Sequence, residues 1–145
     1  MRAAWYEAFG PARDILQVGD VDTPSAGPGE VLVRLQTSGV NPSDAKKRAG
    51  SFPNLLDGGF VIPNSDGAGI IEAVGDGVDD SRIGERVWVY QAQFARLFGT
   101  AAEYVAIDSS RAAVLPDNAG FEVGACLGIP AMTAHRCVFS DGDVA

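Results

Sequence analysis

The stretch Glu30-Val31-Leu32-Val33-Arg34-Leu35-Gln36 decides the fold class. It alternates enough to make a strand with one face buried, and the turn Gly27-Pro28-Gly29 stands before it. Outward from it, Arg2–Tyr6 and Ile15–Val21 read as an opening pair of strands, and Ile70–Val74, Arg86–Tyr90 and Glu103–Ile107 as three more. Gly69 stands directly before the first of these and Gly84 two residues before the second. The 18 glycines among the 145 residues stand above the usual share of about 7%, which suits short strands joined by tight turns. The expected architecture is mainly β, a mostly antiparallel barrel or sandwich with little helix before residue 120.

One short helix is legible inside this β region. Asn41 is a good N-cap, Pro42 sits at the favoured first position, and Asp44 lies in the first turn near the positive end of the helix dipole. Lys46, Lys47 and Arg48 fill the last turn, and Gly50 can close it left-handed. After Leu115-Pro116-Asp117 the composition changes, and two helices are expected, about Phe121–Leu127 and Ala131–Phe139, with a kink at Pro130. Ser140-Asp141-Gly142-Asp143 reads as a turn. A chain ending just after it, with its last helices offered little to pack on, reads as a fragment.

Composition excludes several classes. With 46% hydrophobic and 21% charged residues the chain can bury a core and is not disordered. No apolar run approaches the ~18 residues of a membrane span, and Met1–Glu7 shows no export signal. A net charge of −8 disfavours nucleic acid and anionic membranes. The two cysteines, Cys126 and Cys137, cannot form a disulfide framework or a four-thiolate zinc site, and they read as buried structural thiols in a reducing, cytoplasmic setting. Gly67-Ala68-Gly69 is no dinucleotide loop, because a β-branched strand follows where a helix is required; those glycines instead allow close backbone approach.

Five motifs in order carry a family resemblance: Gly39-Val40-Asn41-Pro42-Ser43-Asp44; Asn64-Ser65-Asp66-Gly67-Ala68-Gly69; Gly84-Glu85-Arg86-Val87; Gly99-Thr100-Ala101-Ala102-Glu103-Tyr104; and Gly128-Ile129-Pro130-Ala131-Met132-Thr133-Ala134. Together they resemble the N-terminal GroES-like catalytic domain of medium-chain dehydrogenases/reductases, in the branch of the zinc-free, zeta-crystallin-like NADPH:quinone oxidoreductases. The resemblance covers essentially the whole chain. It implies a partly closed β-barrel over residues 1–120, with residues 121–145 as a helical connection toward a Rossmann nucleotide-binding domain. It also implies a homodimer and NADPH bound mainly outside this chain.

Zinc-dependent relatives carry Cys, His and Cys as catalytic ligands. The matching positions here hold Asn41, Ser65 and Ile129, and Asp66 stands where the motif's Glu would be. Amide and hydroxyl are poor zinc ligands and isoleucine is none. No cysteine lies between Tyr90 and Thr100, where a structural zinc lobe would be, and His135, the one histidine, has no partner at ligand spacing. No zinc is therefore expected. Alcohol oxidation needs a proton drawn from oxygen, for which a Lewis-acidic metal is the usual means; hydride addition to acceptors that are already electrophilic, quinones or conjugated enones, needs less help, so a metal-free site favours the latter.

The resemblance carries roles to single residues, each beside a structural alternative. Asn41 would contact substrate or nicotinamide, although it also caps a helix. Asp44 would orient a neighbour or the nicotinamide ribose, although a first-turn carboxylate is common. Lys46 stands where relatives often carry Tyr and could donate to a developing oxyanion, or be a solvated last-turn cation. Ser65 replaces a zinc ligand and lines the cleft toward the cofactor. Thr133 matches a threonine that contacts the nicotinamide carboxamide, and Tyr90 and Phe94 would line the substrate cleft or belong to the core. The expected function is metal-free NADPH-dependent quinone reduction; the alternatives are an enoyl or alkenal reductase of the same superfamily and a non-catalytic GroES-like module.

Overall fold

A computed structural model describes residues 1–140 and 142. Seven strands run β1 Arg2–Trp5, β2 Gln17–Asp20, β3 Glu30–Gly39, β4 Asp66–Val74, β5 Arg86–Val89, β6 Tyr104–Asp108 and β7 Ala112–Val114. Among the described residues the four α-helical segments are α1 Ala12–Ile15, α2 Pro42–Arg48, α3 Phe121–Gly124 and α4 Met132–Phe139. Strands β1 and β2 pair antiparallel, and the other five form one antiparallel sheet in the order β6-β3-β4-β5-β7.

The alternation read at Glu30–Gln36 becomes an interior strand of this sheet, between β6 and β4. Val31 and Val33 are fully buried, and Val33 stands opposite Ile71 on β4 and Val105 on β6. With Val87, Val89 and Ile107 they form the main apolar cluster. Each such side chain is worth about 1.5–3 kcal/mol when removed from water. The close approach expected at the glycines is real at Gly69, where a Cβ would lie 2.8 Å from the Arg34 carbonyl carbon across the strand pair.

Four expectations need correction. The strand expected from Ile15 starts at Gln17, because Pro11 opens a single helical turn that the Leu16 N–H closes on the Ala12 carbonyl at 2.9 Å. Strand β4 starts at Asp66 rather than Ile70, its first half hidden by glycine and alanine, and the alanine-rich β7 gives an equally weak signal. The helix expected over Phe121–Leu127 stops at Gly124, and the break before α4 falls at Gly128 (ψ −112°), two residues ahead of Pro130. Cys126 and Cys137 are exposed, not buried. The expected turn at 140–143 lies largely outside the described residues.

Candidate active site

Strand β3 delivers the chain to Asn41, which caps α2 from an extended conformation (φ −113°, ψ 157°). Its backbone N–H donates to Asp44 Oδ2 at 2.8 Å, so the carboxylate at the third helical position satisfies the residue before the helix. At the far end the Gly50 and Ser51 N–H groups return to the Lys47 and Lys46 carbonyls, both at 3.0 Å, completing the expected glycine stop.

The Asn41 side chain does not spend its amide hydrogen on its own helix. Its Nδ2 donates to Asp66 Oδ2 at 2.8 Å, and the Ile129 N–H donates to the same oxygen at 2.8 Å. This explains the break before α4: an amide that helix continuation would use is drawn instead to the carboxylate, and Pro130 has none to give. Gly128 permits the approach, since a Cβ there would lie 2.5 Å from Asp66 Cγ.

Asp66 is 0% exposed and its Oδ1 has no hydrogen-bond partner among the described residues. Burial pushes its carboxyl above the usual range, against the pull of the Asn41 and Ile129 donors. Asp44, 4% exposed with its own Oδ1 unpartnered, is raised by the same desolvation, while the Asn41 N–H and Lys47 pull it down. Tyr6, fully buried beside Asp44, is pushed up to about 12 by burial first and that carboxylate second. Behind Asp66 runs a directed hydrogen-bond chain. Asn64 Nδ2 donates to Ser38 Oγ (2.9 Å), Ser38 to Thr100 Oγ1 (2.8 Å), and Thr100 to the Asp66 carbonyl (2.5 Å).

The structure thus brings Asn41, Asp44 and the 65–66 pair to one locus. Ser65 is buried, and its carbonyl takes the Ala92 N–H at 2.9 Å. Ile129 links this locus to a cavity of about 730 Å³ whose lining includes Trp88, Tyr90, Met132, Thr133 and His135. Thr133 is exposed there on α4, and its hydroxyl makes no hydrogen bond among the described residues. Tyr90 lines the same cavity but donates its hydroxyl to the Ser110 carbonyl at 3.1 Å. Lys46 is exposed on α2. Phe94 lies elsewhere, 61% exposed on a separate cavity with Lys47, so Tyr90 and Phe94 do not face one cleft and Phe94 is not core. The residue that motif reading left out of the site is Asp66; its signal was a carboxylate directly before the small and apolar run Gly67–Ile71.

The three positions that hold ligands in zinc enzymes do converge, since Asn41 and Ile129 meet on the neighbour of Ser65. What they present is an amide, a hydroxyl and an apolar side chain, none of them a thiolate or imidazole, with two N–H groups committed to the Asp66 carboxylate. This donor set does not fit zinc. Among the described residues no group of three or more His, Cys, Asp or Glu is placed to hold a metal ion.

Residues 27–117 match the alcohol dehydrogenase GroES-like domain. The chain belongs to that family. This GroES-like domain is 35% identical to the quinone oxidoreductase of Rattus norvegicus over 139 residues, which is 96% of this chain and 41% of the rat protein. A mycobacterial protein solved in complex with NADPH superposes with a TM-score of 0.83 at 30% identity, over 97% of this chain and 41% of that one. The quinone oxidoreductase of Pseudomonas syringae superposes with a TM-score of 0.83 at 26% identity, over 99% and 42%. The chain therefore spans about two fifths of the length of these relatives, where it corresponds to the mostly β GroES-like part of the medium-chain dehydrogenase/reductase architecture. Among the described residues no helix is long and apolar enough to cross a membrane.

Proposed function

We propose that this GroES-like domain is the catalytic portion of an NADPH-dependent oxidoreductase that reduces quinones by hydride transfer without a bound metal. The observation that carries the reading is the convergence of Asn41 and Ile129 on Asp66, which ties the motif loops together with hydrogen bonds where zinc relatives use a cation. The likeness to quinone oxidoreductases supports the acceptor class.

A bound nicotinamide supplies the hydride. The cavity beside Ile129 suits a flat ring with an amide, being mostly apolar with a few polar groups, and Thr133 would hold the carboxamide there. Ser65 holds the loop below it. Asn41 keeps a second amide N–H for acceptor or cofactor, and Asp44 fixes Asn41 from behind through the backbone bond. As hydride reaches a quinone, negative charge gathers on a carbonyl oxygen, where a well-placed donor is worth roughly 3–4 kcal/mol. Lys46, exposed near the end of α2, would donate a proton from its ammonium to that oxygen and be reprotonated from solvent. Tyr90, with its hydroxyl committed to Ser110, shapes the wall rather than donating. Residues 121–145 would lead toward the nucleotide-binding domain.

The test is steady-state NADPH oxidation by the whole protein carrying this chain, against a panel of quinones and a panel of enones. Faster turnover with quinones is expected. Preference for enones would favour an enoyl or alkenal reductase, and no oxidation with any acceptor would leave a non-catalytic module.

A further inference from the structure

Away from Asp66, helix α2 presents a second polar group. Lys47 is half-buried, and its ammonium donates to Gln93 Oε1 at 3.0 Å and to the Gln93 carbonyl at 3.2 Å. Those two bonds leave one of its three N–H groups without a partner among the described residues. No carboxylate among them lies within ion-pairing distance of Nζ. Desolvation lowers the Lys47 pKa, with Asp44 too remote for an ion pair but pulling the other way. A half-buried cation without a counter-charge is unfavourable, and an anion beside it would offset that cost.

The space beside this ammonium is shaped for such an anion. Lys47 and Gln93 line a cavity of about 450 Å³ whose other walls include Phe52, Pro53, Leu55 and Phe94. Phe52 and Phe94 are 54% and 61% exposed, although aromatic rings of this size are normally drawn inward. Gln93 is the fixed part, 2% exposed, and Ala95 beside it holds φ at +55°, a conformation that an alanine rarely adopts. A rigid floor, apolar walls and one unspent cationic donor are the ingredients of a small-ligand site.

We propose that this cavity is a binding site for a planar aromatic carboxylate, its ring between the Phe52 and Phe94 side of the cavity and its carboxylate on Lys47 Nζ. The cavity shares no lining residue with the one around Trp88 and Thr133, and its occupancy can be read without any reaction. The experiment is calorimetric titration of the 145-residue chain with 2-naphthoate and with its neutral counterpart 2-naphthamide, followed by amide-resolved NMR. Naphthoate is expected to bind at least ten times more tightly than naphthamide, with shifts at residues 52–55 and 93–95. Lys47→Met, which keeps the aliphatic stem, should abolish that preference. Phe94→Ala, a change at an exposed position, should weaken both ligands several-fold and serves if the Lys47 variant does not fold. Equal affinity for the two probes, an unaltered preference in Lys47→Met, no binding at all, or shifts confined to the Trp88 and Thr133 cavity would each overturn the proposal.

Discussion

Asn41 Nδ2 and Asp66 Oδ2 lie 2.8 Å apart, joining the cap of α2 to the first residue of β4 through a bond that water does not reach. Two segments 25 residues apart in sequence are thereby fixed to one another at the candidate site. A charge-assisted bond of this kind, removed from one side, leaves a buried carboxylate with less than it needs.

Asn41→Ala should therefore cost about 1–3 kcal/mol in urea unfolding of this chain, at or above the ~1 kcal/mol of a lost cap alone. Asn41→Asp should cost more, since it sets a second carboxylate against Asp66. If the aspartate variant proved as stable as wild type, the bond to Asp66 would have no part in holding the loops.

Gly128→Ala separates close packing from hydrogen bonding. Its new methyl would lie 2.5 Å from Asp66 Cγ, so either the carboxylate or the 127–131 turn must move. The expected loss is about 1–3 kcal/mol, with the Ile129 amide exchanging faster with solvent as its bond to Asp66 opens. An unchanged exchange rate at Ile129 would mean the turn is not held by that contact.

How much of this site the sequence disclosed depended on the distance over which each signal acts. The α2 boundaries were legible because Asn41, Pro42, Asp44 and Gly50 act on their own helix within a few residues. The strands built on Val31, Val33 and Val87 were legible from alternation or β-branched content. Asp66 was not, since its importance comes from Asn41 and Ile129, which lie 25 and 63 residues away and reach it only through the fold. The break at Gly128 was misplaced onto Pro130 for the same reason: the local breaker was visible and the remote carboxylate was not. The separation of Phe94 from Tyr90 was also hidden, because the loop between them turns through positive φ at Gln91 without a glycine to announce it.

Burial of the carboxylate at Asp44 predicts a pH signature. Its folded pKa is raised above the unfolded value of about 3.9, so its favourable contribution is complete below that value and is lost as pH rises through the folded pKa. Asp44→Asn has no such ionisation and can still accept the Asn41 N–H. Relative to wild type, the variant should gain stability as pH rises from acid to neutral. Chemical unfolding at several pH values measures the difference, and a gap that narrowed in the variant's disfavour on going to neutral pH would contradict the desolvation account.

Thr133 distinguishes a residue placed for a ligand from one placed for the fold. It is exposed on α4, and its hydroxyl bonds to nothing among the described residues, so Thr133→Val should change the unfolding free energy of this chain by no more than about 0.5 kcal/mol. In the whole protein the same substitution removes the hydroxyl proposed to meet the carboxamide, and loss of one such hydrogen bond, about 0.5–1.5 kcal/mol, corresponds to a rise of roughly 2- to 13-fold in the apparent NADPH constant. The acceptor constant should stay near its wild-type value, because that hydroxyl is proposed to meet the cofactor and not the acceptor. Stability thus stays nearly unchanged while cofactor affinity falls on one methyl-for-hydroxyl exchange. A variant that unfolds more easily while keeping its NADPH constant would move Thr133 from the site to the scaffold.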